Sequence, residues 1–238
     1  MEHWELLKEN GLRFVWDDAL FRPGTDSFAL AAFAPVRAGE RVCDLGCGTG
    51  LLGLLLLQRQ GALRVTGVEL DPRAAALADR AAEENALTGR FSVLCADLRE
   101  SKTLLPAGSF DLVICNPPYY PKGSGGAPHS DAERTARQEE TCTLEDCCAA
   151  AAHLLRRGGR FCLVHKPERL ADVAVALRQY GIELKRLRFV HARASAAPSL
   201  LLAEGRRGGR RGVTAEPPLI LQKDDGAPTA EANALYFR

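Results

Sequence analysis

Asn116, Pro117, Pro118 and Tyr119 end the apolar run Phe110 to Cys115, so a rigid polar turn stands where a buried strand should stop. Proline fixes its own φ and drives the preceding residue toward extended geometry, which holds the Asn116 amide and the Asn116 and Pro117 carbonyls in one arrangement. Two such acceptors can grip a planar NH2 group while the Tyr119 ring lies against a planar base. A plain Pro-Pro turn after a strand carries the same four letters, so the reading depends on what accompanies them. Upstream, Asp44-Leu45-Gly46-Cys47-Gly48-Thr49-Gly50 follows a strand-like run and opens a helix-like one. Glycines let a backbone pass close to a ligand, and the first N–H groups of a helix have no partner inside it.

A dinucleotide site spaces its glycines GxGxxG, whereas this string reads DxGxGxG, with an acid two residues before the first glycine. It resembles an S-adenosylmethionine (SAM) site. In that reading Asp44 faces the cationic amino end of the methionine moiety, a contact that a phosphate-binding loop would avoid. Gly46, Cys47, Gly48 and Gly50 line the turn. Glu69, followed by Leu70, ends the next strand, where a carboxylate can accept both ribose hydroxyls. Asp97, followed by Leu98, repeats the pattern one strand on, within reach of the adenine amino group. Any one of these acids could merely cap a following helix, and Asp71 ahead of Pro72 is read that way. Three acids at successive strand ends beside a glycine turn point instead to a binding site, with Asn116 beside the transferable methyl group.

An exocyclic amino nitrogen on an aromatic ring is a weak nucleophile, because its lone pair is delocalised. Accepting both of its N–H groups on Asn116 and Pro117 favours a more pyramidal nitrogen, so orientation and charge placement do the work and no strong base is needed. A base within a stack cannot enter such a pocket, so the nucleotide must be splayed out and stacked on Tyr119.

The elements that must position these residues follow an alternating pattern. Short β-rich runs at 41–45, 64–70, 91–95, 110–115 and 160–165 alternate with helix-like stretches at 51–60, 72–86, 144–157 and 167–179. This is the signature of βαβ units on a parallel sheet. Gly158-Gly159 is expected to stop the third helix. Two further strand-like runs, 183–191 and 199–204, have no helix between them and should pair as a hairpin. The pattern is that of the class I SAM-dependent methyltransferases: an α/β, Rossmann-like fold with a mostly parallel seven-stranded sheet and an antiparallel C-terminal strand. Residues 1–40 read as an N-terminal extension packed on the core, with a possible helix from Asp26 to Ala34. Residues 41–223 form the methyltransferase domain, and 224–238 a loosely organised tail, all within a single structural domain.

Taken with Gly24-Thr25-Asp26, Ala136-Arg137-Gln138-Glu139, Val164-His165-Lys166-Pro167-Glu168-Arg169-Leu170 and Glu216-Pro217-Pro218-Leu219, these motifs make the chain resemble the tRNA1(Val) adenine-37 N6-methyltransferases, in the branch typical of Gram-positive bacteria. The resemblance covers nearly the whole chain. It implies SAM as methyl donor, adenine N6 beside the anticodon as target, and Thr25, Asp26 and Asn116 among the cofactor contacts. The chain departs from the family at Pro198-Ser199, where Ala-Asn is usual, and at Pro228-Thr229-Ala230-Glu231 in place of Tyr-Thr-x-Glu. Release-factor glutamine N5-methyltransferases grip an amide with the same four residues, but about forty residues ahead of the first core strand are too few for their helical N-terminal domain. DNA adenine N6-methyltransferases carry a target-recognition segment that is not evident here.

The net charge is +1 over 238 residues, so a polyanion must be met by a local patch. Arg206, Arg207, Arg210 and Arg211 supply one, read as a loop tip between strands that contacts RNA phosphates. Lys122, Arg134 and Arg137 are weaker candidates near the mouth of the site. The partner expected is thus RNA, most naturally a tRNA, with no membrane and with a monomer favoured. The eight cysteines form no CxxC pair and no zinc-like spacing, so no metal is expected. Cys43, Cys95, Cys115 and Cys162 fall in apolar runs and read as buried hydrophobes. No signal core precedes the first strand, which points to a cytoplasmic protein.

Overall fold

The computed structural model describes residues 1–20, 23–117 and 142–237. The chain opens on a hairpin of β1 (Glu2–Leu6) and β2 (Arg13–Asp17), antiparallel with Glu2 opposite Asp17. β1 is not legible in the sequence, because Glu-His-Trp-Glu-Leu shows no apolar alternation. Then come α1 (Thr25–Phe33), β3 (Arg41–Leu45), α2 (Leu51–Arg59), β4 (Arg64–Glu69), α3 (Pro72–Glu84), β5 (Phe91–Cys95), the short α4 (Ser101–Leu104) and β6 (Phe110–Cys115). The second half holds α5 (Leu144–Leu154), β7 (Leu155–His165), α6 (Leu170–Gln179), β8 (Ile182–His191), β9 (Pro198–Arg207), the two-residue β10 (Thr214–Ala215) and β11 (Leu219–Ile220), and α7 (Ala230–Leu235).

One sheet runs β10-β8-β9-β7-β6-β3-β4-β5, with β11 also pairing with β8. Strands β3 to β8 are parallel, and β9 is antiparallel to both neighbours. Seven long strands therefore form the expected class I sheet, and β10 and β11 extend it beyond seven by covering the outer edge of β8 in parallel. Covering an edge removes a row of unpaired backbone groups.

Alternation along each strand sends side chains to opposite faces. Leu112 and Ile114 of β6 join Val42, the α2 leucines, Leu30 and Phe33 of α1, and Phe14 and Val15 of the hairpin. Val113 and Cys115 face the other way, toward Cys43, Leu45, Phe161 and Leu163 and the buried faces of α5 and α6. α2 is buried from Leu51 to Leu57 without a polar face, because the sheet, α1 and the hairpin enclose it. Each such leucine contributes about 1.5–3 kcal/mol by leaving water.

Three expectations are corrected. Helix α5 ends at Leu154, not Arg157, and residues 156–159 bulge from β7: Phe110 faces Leu155 and Leu112 faces Arg160. Gly158 has φ +79° there, so the glycine pair shapes a bulge rather than stopping a helix. The residues after Lys223 are ordered: Thr229 accepts the Ala232 N–H to cap α7, and a bridge joins Gln222 to Pro228. Cys95 is exposed, unlike Cys43, Cys115 and Cys162, because β5 ends the sheet. Among the described residues no helix is long and apolar enough to cross a membrane.

Candidate active site

The strand order reverses between β3 and β6, since β4 and β5 lie to one side and β7 to the other. In open parallel sheets ligands bind at the carboxyl ends of the strands on either side of such a switch point. Asp44 lies opposite Ile114 and Leu45 opposite Cys115, so the residues that follow, Gly46 on one strand and Asn116 on the other, open on this crevice together.

Asp44 is fully buried, and neither of its carboxylate oxygens completes a hydrogen bond within the described residues. Burial pushes its pKa up to about 7; the nearby Gly53 N–H opposes the rise without completing a hydrogen bond, and the negative charge of Glu69 reinforces it. A buried, unsatisfied acid is costly unless a cation or donor arrives to satisfy it. The turn beside it is built for a ligand. Gly46 and Gly48 have φ of +69° and +56°, and a Cβ on either would meet nothing within 4 Å. The backbone thus lines open space in a conformation that L side chains rarely adopt.

Glu69 is held at the end of β4 by the N–H groups of Gly48 and Asp71, each 2.8 Å from one of its oxygens. A carboxylate has about four acceptor directions, so two remain for a pair of hydroxyls. Leu70 is half exposed beside it. Cys47 turns inward: its N–H bonds the Val68 carbonyl, and its sulfur fills the space where a Cβ on Gly67 would stand. Asp97 ends β5 at the same side of the sheet but caps the next turn through the Arg99 N–H and is gripped by the Arg99 guanidinium. That grip holds its carboxyl below the usual range. Leu98 packs on the neighbouring apolar cluster.

Asn116 reaches back to helix α1. Its Nδ2 donates to Asp26 Oδ2 at 3.1 Å and lies 3.4 Å from Ser27 Oγ. Only an NH2 can donate to a carboxylate, so this contact fixes the amide orientation and directs the amide oxygen away from Asp26. Asp26 is itself buried in the first turn of α1 and accepts the Ser27 N–H at 2.8 Å. Gly24 is required beside it, because a Cβ there would stand 2.7 Å from Asp26 Oδ1. Thr25 Oγ1 meets the Tyr236 hydroxyl at 2.8 Å, and the Phe28 and Tyr236 rings pack 4.8 Å apart. Ser27 and Tyr236 thus contact candidate site residues, and sequence reading missed both. Ser27 was legible as the neighbour of Asp26, whereas nothing in the sequence links positions 25 and 236.

The structure brings Thr25, Asp26, Asp44, Gly46, Gly48, Gly50, Glu69, Leu70, Asp97, Asn116 and Pro117 to one end of the sheet. Pro118 and Tyr119, with Lys122, Arg134 and Arg137, lie outside the described residues. The basic run is placed elsewhere. Arg206 and Arg207 belong to β9 rather than to a loop tip, and Arg206 lies opposite Arg160 near the amino end of β7. Because β9 is antiparallel, its last residues stand at the opposite end of the sheet from Asn116. Arg207 Nη1 donates to the Tyr180 carbonyl at 2.8 Å, a contact that joins it to the fold.

A parallel sheet with one inserted antiparallel strand, a glycine turn lining open space after β3, and a buried acid beside that turn at the switch point define a class I SAM-dependent methyltransferase. The methyltransferase small domain family matches residues 22–180, more than half of the chain. The chain belongs to the tRNA1(Val) (adenine(37)-N6)-methyltransferase family. It is 36% identical over 192 residues to the member from Porphyromonas gingivalis, covering 78% of this chain and 74% of the relative. With the member from Dickeya chrysanthemi it shares 31% identity over 98% of this chain and 95% of that one. A solved structure of an O-methyltransferase, so classed by prediction, from Agrobacterium tumefaciens superposes with a TM-score of 0.72 at 25% identity, covering 89% and 95% of the two chains.

Proposed function

We propose that this chain transfers a methyl group from SAM to the exocyclic N6 of adenine 37, beside the anticodon of tRNA1(Val). The observation that carries the reading is the Asn116 amide, anchored through its NH2 on Asp26 so that its oxygen is presented as an acceptor at the switch point. The activity named for the relatives from Porphyromonas gingivalis and Dickeya chrysanthemi supports the choice of adenine and of tRNA.

The residues present fit SAM. Asp44 offers an unsatisfied buried carboxylate for a cationic group, Gly46 and Gly48 an open backbone cradle, and Glu69 two acceptor directions for ribose hydroxyls. SAM, when bound, supplies a methyl group on a positively charged sulfur. Asn116 and the Pro117 carbonyl then accept the two N–H groups of the target nitrogen and set its lone pair toward that methyl. Holding both N–H groups on protein acceptors favours the pyramidal nitrogen, and the catalytic gain is orientation rather than proton abstraction. The nitrogen becomes cationic on transfer and sheds its proton afterwards to an acceptor or to water. The adenine must leave its stack to reach Asn116, so the pocket favours an anticodon-loop nucleotide over one in a duplex. The reaction takes place on RNA in the cytoplasm, where tRNA is matured.

Incubation of the purified chain with methyl-labelled SAM and total tRNA, a peptide release factor or duplex DNA tests the assignment. Label in N6-methyladenosine at position 37 of a valine tRNA is expected. Label confined to a glutamine of the release factor, or to DNA, overturns it.

A further inference from the structure

Parallel strands share one amino end, and in this sheet that end is lined with arginine. Arg41 opens β3 and lies directly opposite Arg64, which opens β4. Arg90 precedes β5, whose Phe91 pairs with Val65, so it stands beside Arg64. On the other flank Arg160 of β7 lies opposite Arg206 of β9, whose other cross-strand neighbour is Glu183 of β8. Like charges set opposite each other destabilise a sheet.

The acids of this rim are already engaged. Glu40 holds Arg160 at 2.5 Å, Asp111 holds Arg156 at 2.6 Å, and Glu183 holds Arg178 at 2.6 Å. Arg41, Arg64, Arg157, Arg206 and Arg210 are exposed, and no carboxylate among the described residues lies within ion-pair distance of them. A cavity of about 600 Å3 opens on the same rim, lined by His153, Arg157, Arg207 and the backbone of Gly108 and Gly208. It is remote from Asp44 and Asn116. At about 3.3 Å per residue, the length of β6 alone separates the rim from the catalytic end by roughly 17 Å.

We infer that this arginine rim is a second RNA-contact surface, which holds sugar-phosphate backbone outside the stem-loop that delivers the target adenine. The inference rests on the RNA substrate proposed above. Laterally spaced guanidinium groups that no carboxylate holds in an ion pair match the repeat of phosphates along a backbone, and each one neutralised by a phosphate releases counterions and gains affinity. Distance sets the size of the partner. A nucleotide seated at Asn116 and a phosphate seated at the rim lie at opposite ends of the sheet, and backbone that joins them must pass around the flank, so the rim is assigned to RNA beyond the anticodon stem-loop.

The test is fluorescence anisotropy of the full chain with two labelled RNAs, an intact valine tRNA transcript and its isolated anticodon stem-loop, over a range of salt. The variant is Arg64→Glu with Arg206→Glu and Arg210→Glu, and its SAM dissociation constant serves as the check of folding. The expected result is a rise of about tenfold or more in the Kd for intact tRNA, with a salt slope shallower by about 2 to 3 for three lost contacts. Stem-loop affinity is expected to hold. Unchanged binding and salt slope for intact tRNA overturn the inference, as does an equal loss on both RNAs. Should the reversed variant lose SAM binding, neutral glutamines at the same positions replace it, with the same expected and overturning outcomes. A wild-type chain that binds tRNA through the rim but leaves adenine 37 unmethylated overturns the proposed function and leaves the rim standing.

Discussion

In the proposed reaction Asn116 and Asp44 divide the labour of the site, and each can be tested alone. Asn116→Ala removes the acceptor proposed to orient the target nitrogen but leaves the glycine turn, Asp44 and Glu69 in place. SAM affinity should hold within a few-fold while kcat falls by about 100-fold or more, as for loss of one preorganised transition-state contact. Measured by calorimetry and single-turnover methylation, an equal loss of both would make Asn116 a cofactor ligand instead. Asp44→Asn should weaken SAM by about 10- to 100-fold, the worth of a charge-assisted hydrogen bond. Asp44 also sets a pH dependence. Its folded pKa is raised from 3.8 to about 7, so the folded protein binds the extra proton and stability of the ligand-free chain declines as pH rises between those values. The opposite trend is expected for SAM affinity, which should rise through about pH 7 as the carboxylate ionises. A pH scan of thermal unfolding with and without SAM, flat at this residue in Asp44→Asn, checks both signs.

Elements place these residues through close approaches that tolerate little change. Gly50 ends the glycine turn with φ +84° and caps α2, and a Cβ there would lie 2.8 Å from the Phe91 ring and 3.2 Å from the Ala78 Cβ. β5, α3 and the turn therefore meet at one point. Gly50→Ala combines left-handed strain with overpacking and should cost roughly 2–4 kcal/mol in a denaturation titration, with α2 displaced from the sheet. The turn was legible from its spacing because the chemistry of a strand-to-helix turn is local. The bulge at 156–159 was not, since two glycines after a helix-like run suit a helix stop and a bulge equally. Pairing with β6 decided between them.

At the scale of the molecule, the amino end of the sheet is held by a buried ion pair between Arg160 and Glu40, which reaches across from the segment before β3 to β7. Breaking one partner strands a buried charge. Glu40→Gln should destabilise the fold by about 3–5 kcal/mol in chemical denaturation, whereas loss of the exposed Arg156–Asp111 pair should cost under about 1 kcal/mol. A comparable small effect at both sites would show that Arg160 finds water or another partner. The same end carries the exposed arginines, so one surface combines a neutralised buried pair with a rim of open positive charge.

The residues themselves determined the chemistry: an acid, three glycines and a second acid at successive strand ends, then an amide locked by proline. These are properties of short segments, and short segments carry them in any context. The sequence also determined that Arg206 to Arg211 are basic, but not where they face. That depended on β9 running against its neighbours, which sends its last residues to the amino end of the sheet instead of the mouth of the site. Likewise, only folding joined Asn116 to Asp26 and Thr25 to Tyr236, because contacts between segments 90 and 211 residues apart leave no local pattern to read. Local physics wrote the parts of this site. The direction of one strand and the packing of α1 against the catalytic end decided which parts meet.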